Sequence, residues 1–477
     1  MIPGPATHAF DDAPPGIREF IQVYAPGVDD PLDELDDGIQ PADAAARFQA
    51  DHLVSPRGLT LRRYRGSWWR WEGRRYQEVS EEFLITQVLE YLVRHRARKK
   101  AKTTFVRDVL AVLKIDTLLP DALATPAWLS SAAPRETTCH VALSNGILDI
   151  EAALAGRADA LQPHTPAFLS PVVLPYAFDP EATCPAWLAV LNRVMPIAAG
   201  QQLLQEYVGY CLLGGLDHPY GLILTGDGAN GKSTVLKVVV KLLGRENCSA
   251  VALEKFDERF ALFPMLGKLA NIVNEMGEVE KTAEGILKNL ISGEPMQFER
   301  KFKDPVVAEP TAKLIFACNT LPRFLDRSQG IWRRLLILPF DQVIDEAERD
   351  LDIDRKLEVE LAGIFLWALA GLYTLRQRGH FVEPEISRSA KEELKLASNP
   401  ARAFLVEFCR LEPAATVYRN VLYDKYREYC HDNGHRPLNS NHFGAEVRRV
   451  FPEVQVLRPR GDRHRQRVWD GLALEGE

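Results

Sequence analysis

Along the chain the period of the apolar positions changes twice, and those changes mark out its parts. Residues 45–53 (AARFQADHL) and 81–102 (EEFLITQVLEYLVRHRARKKAK) place apolar residues three and four apart, the spacing of an amphipathic helix, and the second run ends basic. Between them LTLRRYRGSWWRWEGRRYQEV predicts two strands around a Gly turn, and VALSNGILDI further on predicts a strand-turn-strand. The proline-rich run LQPHTPAFLSPVVLPYAFDPEATCPAW is irregular, as expected of a connector packed on the next domain, and a helical stretch over 186–213 follows it. Short unbroken apolar runs then take over (GLILT, LANIV, KLIFAC, LLILPF), with the amphipathic KSTVLKVVVKLLG among them. Buried strands alternating with helices predict a parallel α/β sheet. Residues 346–395 read as charged helices suited to a small lid. From about 400, three helices (two of them over 417–433 and 441–450) and the basic strand pair VQVLRPRGDRHRQRVWDGLAL predict a winged helix. The domain organisation expected is thus an acidic tail over 1–44, an α+β accessory domain over 45–175, a helical collar over 176–215, the P-loop core over 216–345, a lid over 346–398 and a winged helix over 399–477.

Composition changes this picture in two places. Of 477 residues, 46% are hydrophobic and 26% charged, with no stretch of about 18 apolar residues and no basic-then-apolar start, so a soluble intracellular protein with no membrane partner is expected. The seven cysteines stand singly, which argues against disulfides and structural zinc. The net charge of −7 is misleading: residues 1–40 hold nine acids and one arginine, leaving about +1 on the rest. Local patches therefore decide the partner. The tail itself has too few apolar residues to offset the entropy of ordering; it is expected to be disordered, either recruiting a partner or aiding solubility.

The strongest chemical signal is GDGANGKST, residues 226–234, which fits G-x-x-x-x-G-K-[ST] between an apolar strand and a helix. Gly226, Asp227, Gly228, Ala229, Asn230 and Gly231 form the loop whose backbone N–H groups converge on phosphates. Lys232 reaches the β/γ oxygens of ATP, and Ser233, followed by Thr234, offers a hydroxyl to Mg²⁺. Such a loop needs an acid at a neighbouring strand end. Glu275, directly after LANIV and beside Asn274, is the candidate base and metal-shell residue, against the alternative of an ordinary strand-end acid; Glu278 and Glu280 read as solvated. Asn319, delivered by KLIFAC, can hold the water or γ-phosphate, or simply turn the chain. Arg333 and Arg334 precede LLILPF. If subunits form a ring, one of them, Arg334 being favoured, can reach a neighbour's phosphate; otherwise they make structural ion pairs.

Taken in order, GDGANGKST, IVNEMGE, LKNLISGEPMQFERKFKDP, KLIFACNTLP and GIWRRLLILPF resemble the superfamily 3 helicases, specifically the poxvirus-type and phage or plasmid primase-helicase family. The likeness extends upstream through RGSWWRWEGRRYQEV, SNGILDI and CPAWLAVL, covering roughly residues 45–345. It implies an AAA+ core in a homo-hexameric ring, hydrolysing ATP with Mg²⁺ and moving 3′→5′ on single-stranded or forked DNA during replication of a phage, prophage or plasmid in a bacterial cytoplasm. It further implies a channel hairpin with Arg300, Lys301 and Lys303 tracking phosphates and Phe298 and Phe302 beside them, where the plainer alternative is a solvated basic loop. Two departures matter. The acidic strand ends Asn-Glu rather than in paired acids, and residues 45–175 are too short for a polymerase-type primase, so a primase or polymerase partner would be separate.

Outside the ring, Arg458, Arg460, Arg463, Arg465, Arg467 and His464 cluster on the last strand pair around Gly461, with Arg448 and Arg449 on the preceding helix. This is the charge of a backbone-binding wing and groove-facing helix, unless the module docks protein instead. The run 94–100 is either a second contact or a basic helix end complementing its dipole. Two functions share these residues: a replicative helicase, and an AAA+ origin-binding initiator or nucleotide-switched assembly factor without processive unwinding. An antiviral ATPase is a third, with no nuclease motif in support.

Overall fold

The computed structural model describes residues 38–95, 97–129, 134–137, 139–276, 281–319, 329–458 and 467–474. The tail 1–37, Glu278, Glu280, Arg460, Gly461, Arg463, His464 and Arg465 lie outside them. The chain divides into two units, one formed by the described residues through Glu72 together with Gln77–Pro120, the other by Gly73–Tyr76 and the residues from Asp121 onward. The segment 45–175 is thereby shared between both.

In the first unit, helix α1 (Pro41–Phe48), the hairpin β1 (Leu61–Tyr64) and β2 (Ser67–Trp71), α2 (Glu81–Arg94) and α3 (Thr103–Thr117) enclose one core. Helix α2 starts where Ser80 accepts the Phe83 N–H, with Glu81 and Glu82 in the first turn and Arg94 in the last. Its Leu84, Val88, Tyr91 and Leu92 meet Val106, Val109, Leu110 and Leu113 of α3, helical spacing on both sides.

The second unit opens with the hairpin β3 (His140–Leu143) and β4 (Gly146–Asp149), followed by helices α4 (Pro185–Val194) and α5 (Ala198–Cys211). Its centre is a five-stranded parallel sheet built from β5 (Gly221–Thr225), β6 (Cys248–Ser249), β7 (Ala270–Val273), β10 (Lys313–Cys318) and β11 (Leu335–Pro339), in the order β6-β7-β10-β5-β11. Helix α6 (Lys232–Leu243) leaves the loop after β5; α7 (Lys281–Ser292) leads to an antiparallel hairpin, β8 (Met296–Arg300) and β9 (Lys303–Ala308). Beyond the sheet lie α8 (Ile353–Val359), α9 (Leu361–Arg378) and α10 (Glu385–Ser398). Although α9 falls in the segment read as a charged lid, it buries Ile364, Phe365, Ala368, Leu369, Leu372 and Leu375 and packs directly on α5. A Cβ on Gly209 would fall 2.2 Å from the Ala368 carbonyl, and one on Gly371 would fall 2.4 Å from that of Gln205, so the two backbones touch through glycines. Among the described residues no single helix is long and apolar enough to cross a membrane.

The chain ends in α11 (Pro400–Phe408), α12 (Arg419–Asp432) and α13 (Ser440–Val450) against an antiparallel sheet of β12 (Cys409–Tyr418), β13 (Gln455–Leu457) and β14 (Val468–Leu474), ordered β12-β14-β13. Stacked Tyr426 and Phe443 rings, 4.3 Å apart, fill its core with Phe404, Leu422 and Trp469.

Candidate nucleotide site and nucleic-acid interface

Strand register decides what meets at the carboxyl edge of the sheet. Thr225 of β5 pairs with Cys318 of β10 and Pro339 of β11, while Val273 of β7 pairs with Phe316 of β10. Continued two residues, that register sets Glu275 level with Cys318. Loop 226–231, Glu275, Asn319 and Phe340 therefore all leave the sheet at the same edge, where open parallel sheets take their ligands. Both Glu275 and Asn319 are exposed there.

The loop is shaped for an anion. Gly226 (φ 149°), Gly228 (107°), Ala229 (52°) and Gly231 (83°) take left-handed or glycine-only angles, which turn successive N–H groups toward one side. Lys232 is buried at the first position of α6, and its Nζ donates to the Gly226 carbonyl at 2.6 Å and to Asn230 Oδ1 at 2.8 Å. Burial holds its pKa below the usual lysine range, with the Asp227 carboxylate pulling the other way. Burial also pushes the neighbouring Cys318 thiol up to about 12, so it stays neutral beside the lysine. Ser233 and Asp227 are exposed and Thr234 half-buried at the same helix start. A loop of N–H donors, a lysine and a hydroxyl at the same sheet edge as an exposed carboxylate is a donor set that fits a nucleoside triphosphate with Mg²⁺.

The two arginines before β11 differ. Arg334 is tied into its own subunit, Nε donating to Ser292 Oγ at 3.0 Å and Nη1 to the Gly330 carbonyl at 2.8 Å. Arg333 is exposed and makes no hydrogen bond or ion pair among the described residues.

The β8–β9 hairpin also sorts its basic residues. Arg300 is 8% exposed, with Nε donating to the Asp304 carbonyl at 3.0 Å and its guanidinium 5.8 Å from the Phe263 ring, so it braces the hairpin base. Phe298 is buried with Val306 and Ala308. Lys301, Phe302 and Lys303 are exposed at the tip, Phe302 to 93% and in the left-handed region (φ 61°), with the Lys301 ammonium 5.2 Å from its ring.

Residues 47–196 match the family described as D5 N terminal like, residues 224–334 a family of unknown function (DUF5906), and residues 398–466 the RFX DNA-binding domain. "Putative helicase 184R" of Invertebrate iridescent virus 6 is 25% identical over 200 residues, 39% of this chain and 21% of that protein. "Putative helicase L207/L206" of Acanthamoeba polyphaga mimivirus is 26% identical over 157 residues, 31% of this chain and 16% of that one. The chain thus spans about a fifth of the length of the curated relatives it matches. The apo structure of the NrS-1 C terminal region shares the fold, with a TM-score of 0.51 over 91% of this chain and 100% of that one at 14% identity. Over parts of its length the chain is thus similar to the D5 N terminal like family and to viral proteins described as putative helicases.

One residue of the loop has a role its motif does not announce. Asn230 is 2% exposed and donates through Nδ2 to the Phe340 carbonyl at 2.7 Å, while its Oδ1 holds Lys232. A Cβ on Gly226 would lie 2.2 Å from Asn230 Nδ2 and 2.4 Å from the Phe340 carbonyl, so glycine there clears the path for this bond. The Phe340 N–H in turn donates to Thr225, and the Ile344 N–H to Ala229, fastening the loop to the chain after β11. The sequence signal was present only as an amide within the motif; its partner lies 110 residues away.

Proposed function

We propose that this chain is an ATP-driven DNA helicase of the superfamily 3, AAA+ kind, acting as a hexameric ring on single-stranded and forked DNA. The observation that carries the reading is the shared sheet edge, where the phosphate loop with Lys232 meets Glu275 and Asn319. Loop N–H groups and Lys232 bind the phosphates; the Ser233 hydroxyl and Glu275 carboxylate would hold the metal. Mg²⁺, if held there, would supply charge neutralisation on the phosphates. Glu275 orients and deprotonates the attacking water, and the Asn319 amide fixes it without adding charge. Arg333 is the better candidate for a finger reaching a neighbour, because Arg334 already spends its donors on Ser292 and Gly330. At the hairpin, Lys301 and Lys303 contact phosphates and Phe302 offers a stacking face, while the C-terminal module supplies a DNA contact outside the ring.

The test is ATPase rate with and without single-stranded DNA, together with unwinding of a 3′-tailed fork, for wild type and Glu275→Gln. DNA-stimulated hydrolysis and unwinding, both reduced at least about 100-fold in the variant, are expected. Hydrolysis with no unwinding on either tail polarity would sink the helicase reading and leave the nucleotide-switched initiator.

A further inference from the structure

Around Trp469 the C-terminal module gathers three positive charges that make no ion pair among the described residues. The Arg419 guanidinium, at the first position of α12, lies 5.3 Å from the Trp469 ring centroid, and that of Arg448, on α13, lies 5.9 Å away. Arg467, next but one along the chain, accepts the Arg419 backbone N–H on its carbonyl at 3.0 Å. Trp469 itself is 1% exposed, a fixed platform, whereas Arg448 and Arg467 are exposed and Arg419 is half-buried. None of these three guanidiniums makes a hydrogen bond or ion pair among the described residues. The cluster bears on Arg419: burial first, then the Arg467 and Arg448 charges, pull its pKa below the ordinary arginine range.

Arg449, one residue on from Arg448, shows the contrast. It pairs with Glu446, whose other oxygen accepts from Asn399 at 3.1 Å, so its charge is consumed inside the module. Gly444, on the same helix, keeps the pocket open: a Cβ there would stand 3.0 Å from Arg419 Nη2 and 3.5 Å from the indole. Stacking on a ring fixes the plane of a guanidinium and leaves its edge donors directed outward, the geometry that grips phosphate oxygens in pairs.

We infer that Arg419 and Arg448, set on Trp469, together with the neighbouring Arg467 form a clamp for the phosphodiester backbone of duplex DNA. The inference rests on the proposed reading of the C-terminal module as a DNA contact, and it names the residues and the chemical group. Backbone contacts of this kind give affinity without sequence choice and make it steeply salt-dependent.

The experiment is fluorescence anisotropy of a blunt 20-base-pair duplex with the full chain, without nucleotide, over a series of salt concentrations. Wild type is compared with Arg448→Gln, Arg419→Gln and the control Arg449→Gln, each checked for an unchanged melting profile. Arg448→Gln, at an exposed position, keeps the test informative should Arg419→Gln disturb the fold. The expected result is an affinity loss of about tenfold in Arg448→Gln and Arg419→Gln, with a salt slope shallower by about one, and no such change in Arg449→Gln. Equal loss in all three, or wild-type affinity in Arg448→Gln, overturns the clamp while leaving a DNA-binding module. A wild type with no duplex affinity overturns the module reading and the clamp with it. Displacement of the duplex by millimolar inorganic phosphate at constant ionic strength would make it a free-phosphate site and overturn the assignment to nucleic acid.

Discussion

Asn230 occupies the middle of a three-way bond between the phosphate loop, the lysine that loop carries and the strand after it. Replaced by alanine, it leaves the Phe340 carbonyl buried without its donor and lets Lys232 relax toward the Gly226 carbonyl alone. An orphaned buried acceptor costs about 1–3 kcal/mol. Asn230→Ala should therefore lower thermal stability by that order and weaken ATP binding about tenfold; titration of a fluorescent ATP analogue showing unchanged affinity would remove Asn230 from the site. The loop itself was legible because phosphate binding by backbone N–H groups demands glycines at fixed short spacing. The Phe340 partner was not, because a bond across 110 residues leaves no periodic trace. Arg300 makes the same point: charge alone could not separate the arginine that braces the hairpin from Lys301 and Lys303, which reach outward.

Among the elements, β10 carries chemistry at both ends. Asn319 follows its carboxyl end, and Lys313 begins it, 1% exposed, donating to the Leu213 carbonyl just past α5 with its ammonium 4.9 Å from the Tyr210 ring. Burial drives the Lys313 pKa down to about 8, against the opposing pull of Cys211 and Asp217. Below pH 8 folded and unfolded chains both hold this proton, so the folded state bears the burial cost in full. Between pH 8 and about 10.5 the folded chain releases it first, and stability rises by about 3 kcal/mol at most. Burial raises the thiol of Cys211 to about 12, and that works in the opposite direction above pH 9. The informative quantity is therefore the melting temperature of wild type minus that of Lys313→Met, which should increase from pH 8 to 10. A flat difference would mean that Lys313 does not titrate in this range. At the hairpin, Phe302→Ala with Lys301→Ala should abolish stimulation of ATPase by single-stranded DNA while leaving the basal rate within about twofold, since both tip residues are remote in sequence from the loop. Stimulation at the wild-type level would remove the hairpin from the DNA path.

Element reading from the sequence succeeded where burial is complete, as in four strands of the parallel sheet; α2 ends at Arg94 rather than running to 102, and the run read as two strands around a Gly turn holds three, Leu61–Tyr64, Ser67–Trp71 and Tyr76–Val79. It overlooked β12, whose ten residues include Pro413 and alternate poorly between exposed and buried, with the register shifting between Leu411 and Thr416. It also took the segment holding α9 for charged helices; the charges flank a helix whose glycines and alanines admit another backbone, a property of packing that no local pattern displays.

For the whole molecule, the exposed Arg333 sets a test of assembly. Mixtures of Arg333→Ala and Lys232→Ala chains should show ATPase activity departing from the sum of the two diluted components, because a finger from one chain can serve a loop on another. Strict proportionality across all ratios would argue that no arginine acts between chains. Arginine fingers are worth about 10³–10⁵ in rate where they act, so the departure should be large.

Strand β11 gives that arrangement a mechanical reading. Arg333 stands two residues before its first, and Phe340, gripped by Asn230, just after its last. Five extended residues make a stiff rod of about 17 Å, paired along its length with β5 and hard to stretch. A neighbour's γ-phosphate pulling on Arg333 would be felt at the far end as tension on Asn230, and so on the lysine of the next site. In the proposed ring, the occupancy of one nucleotide site would then bias its neighbour through this strand and the β5 residues paired to it.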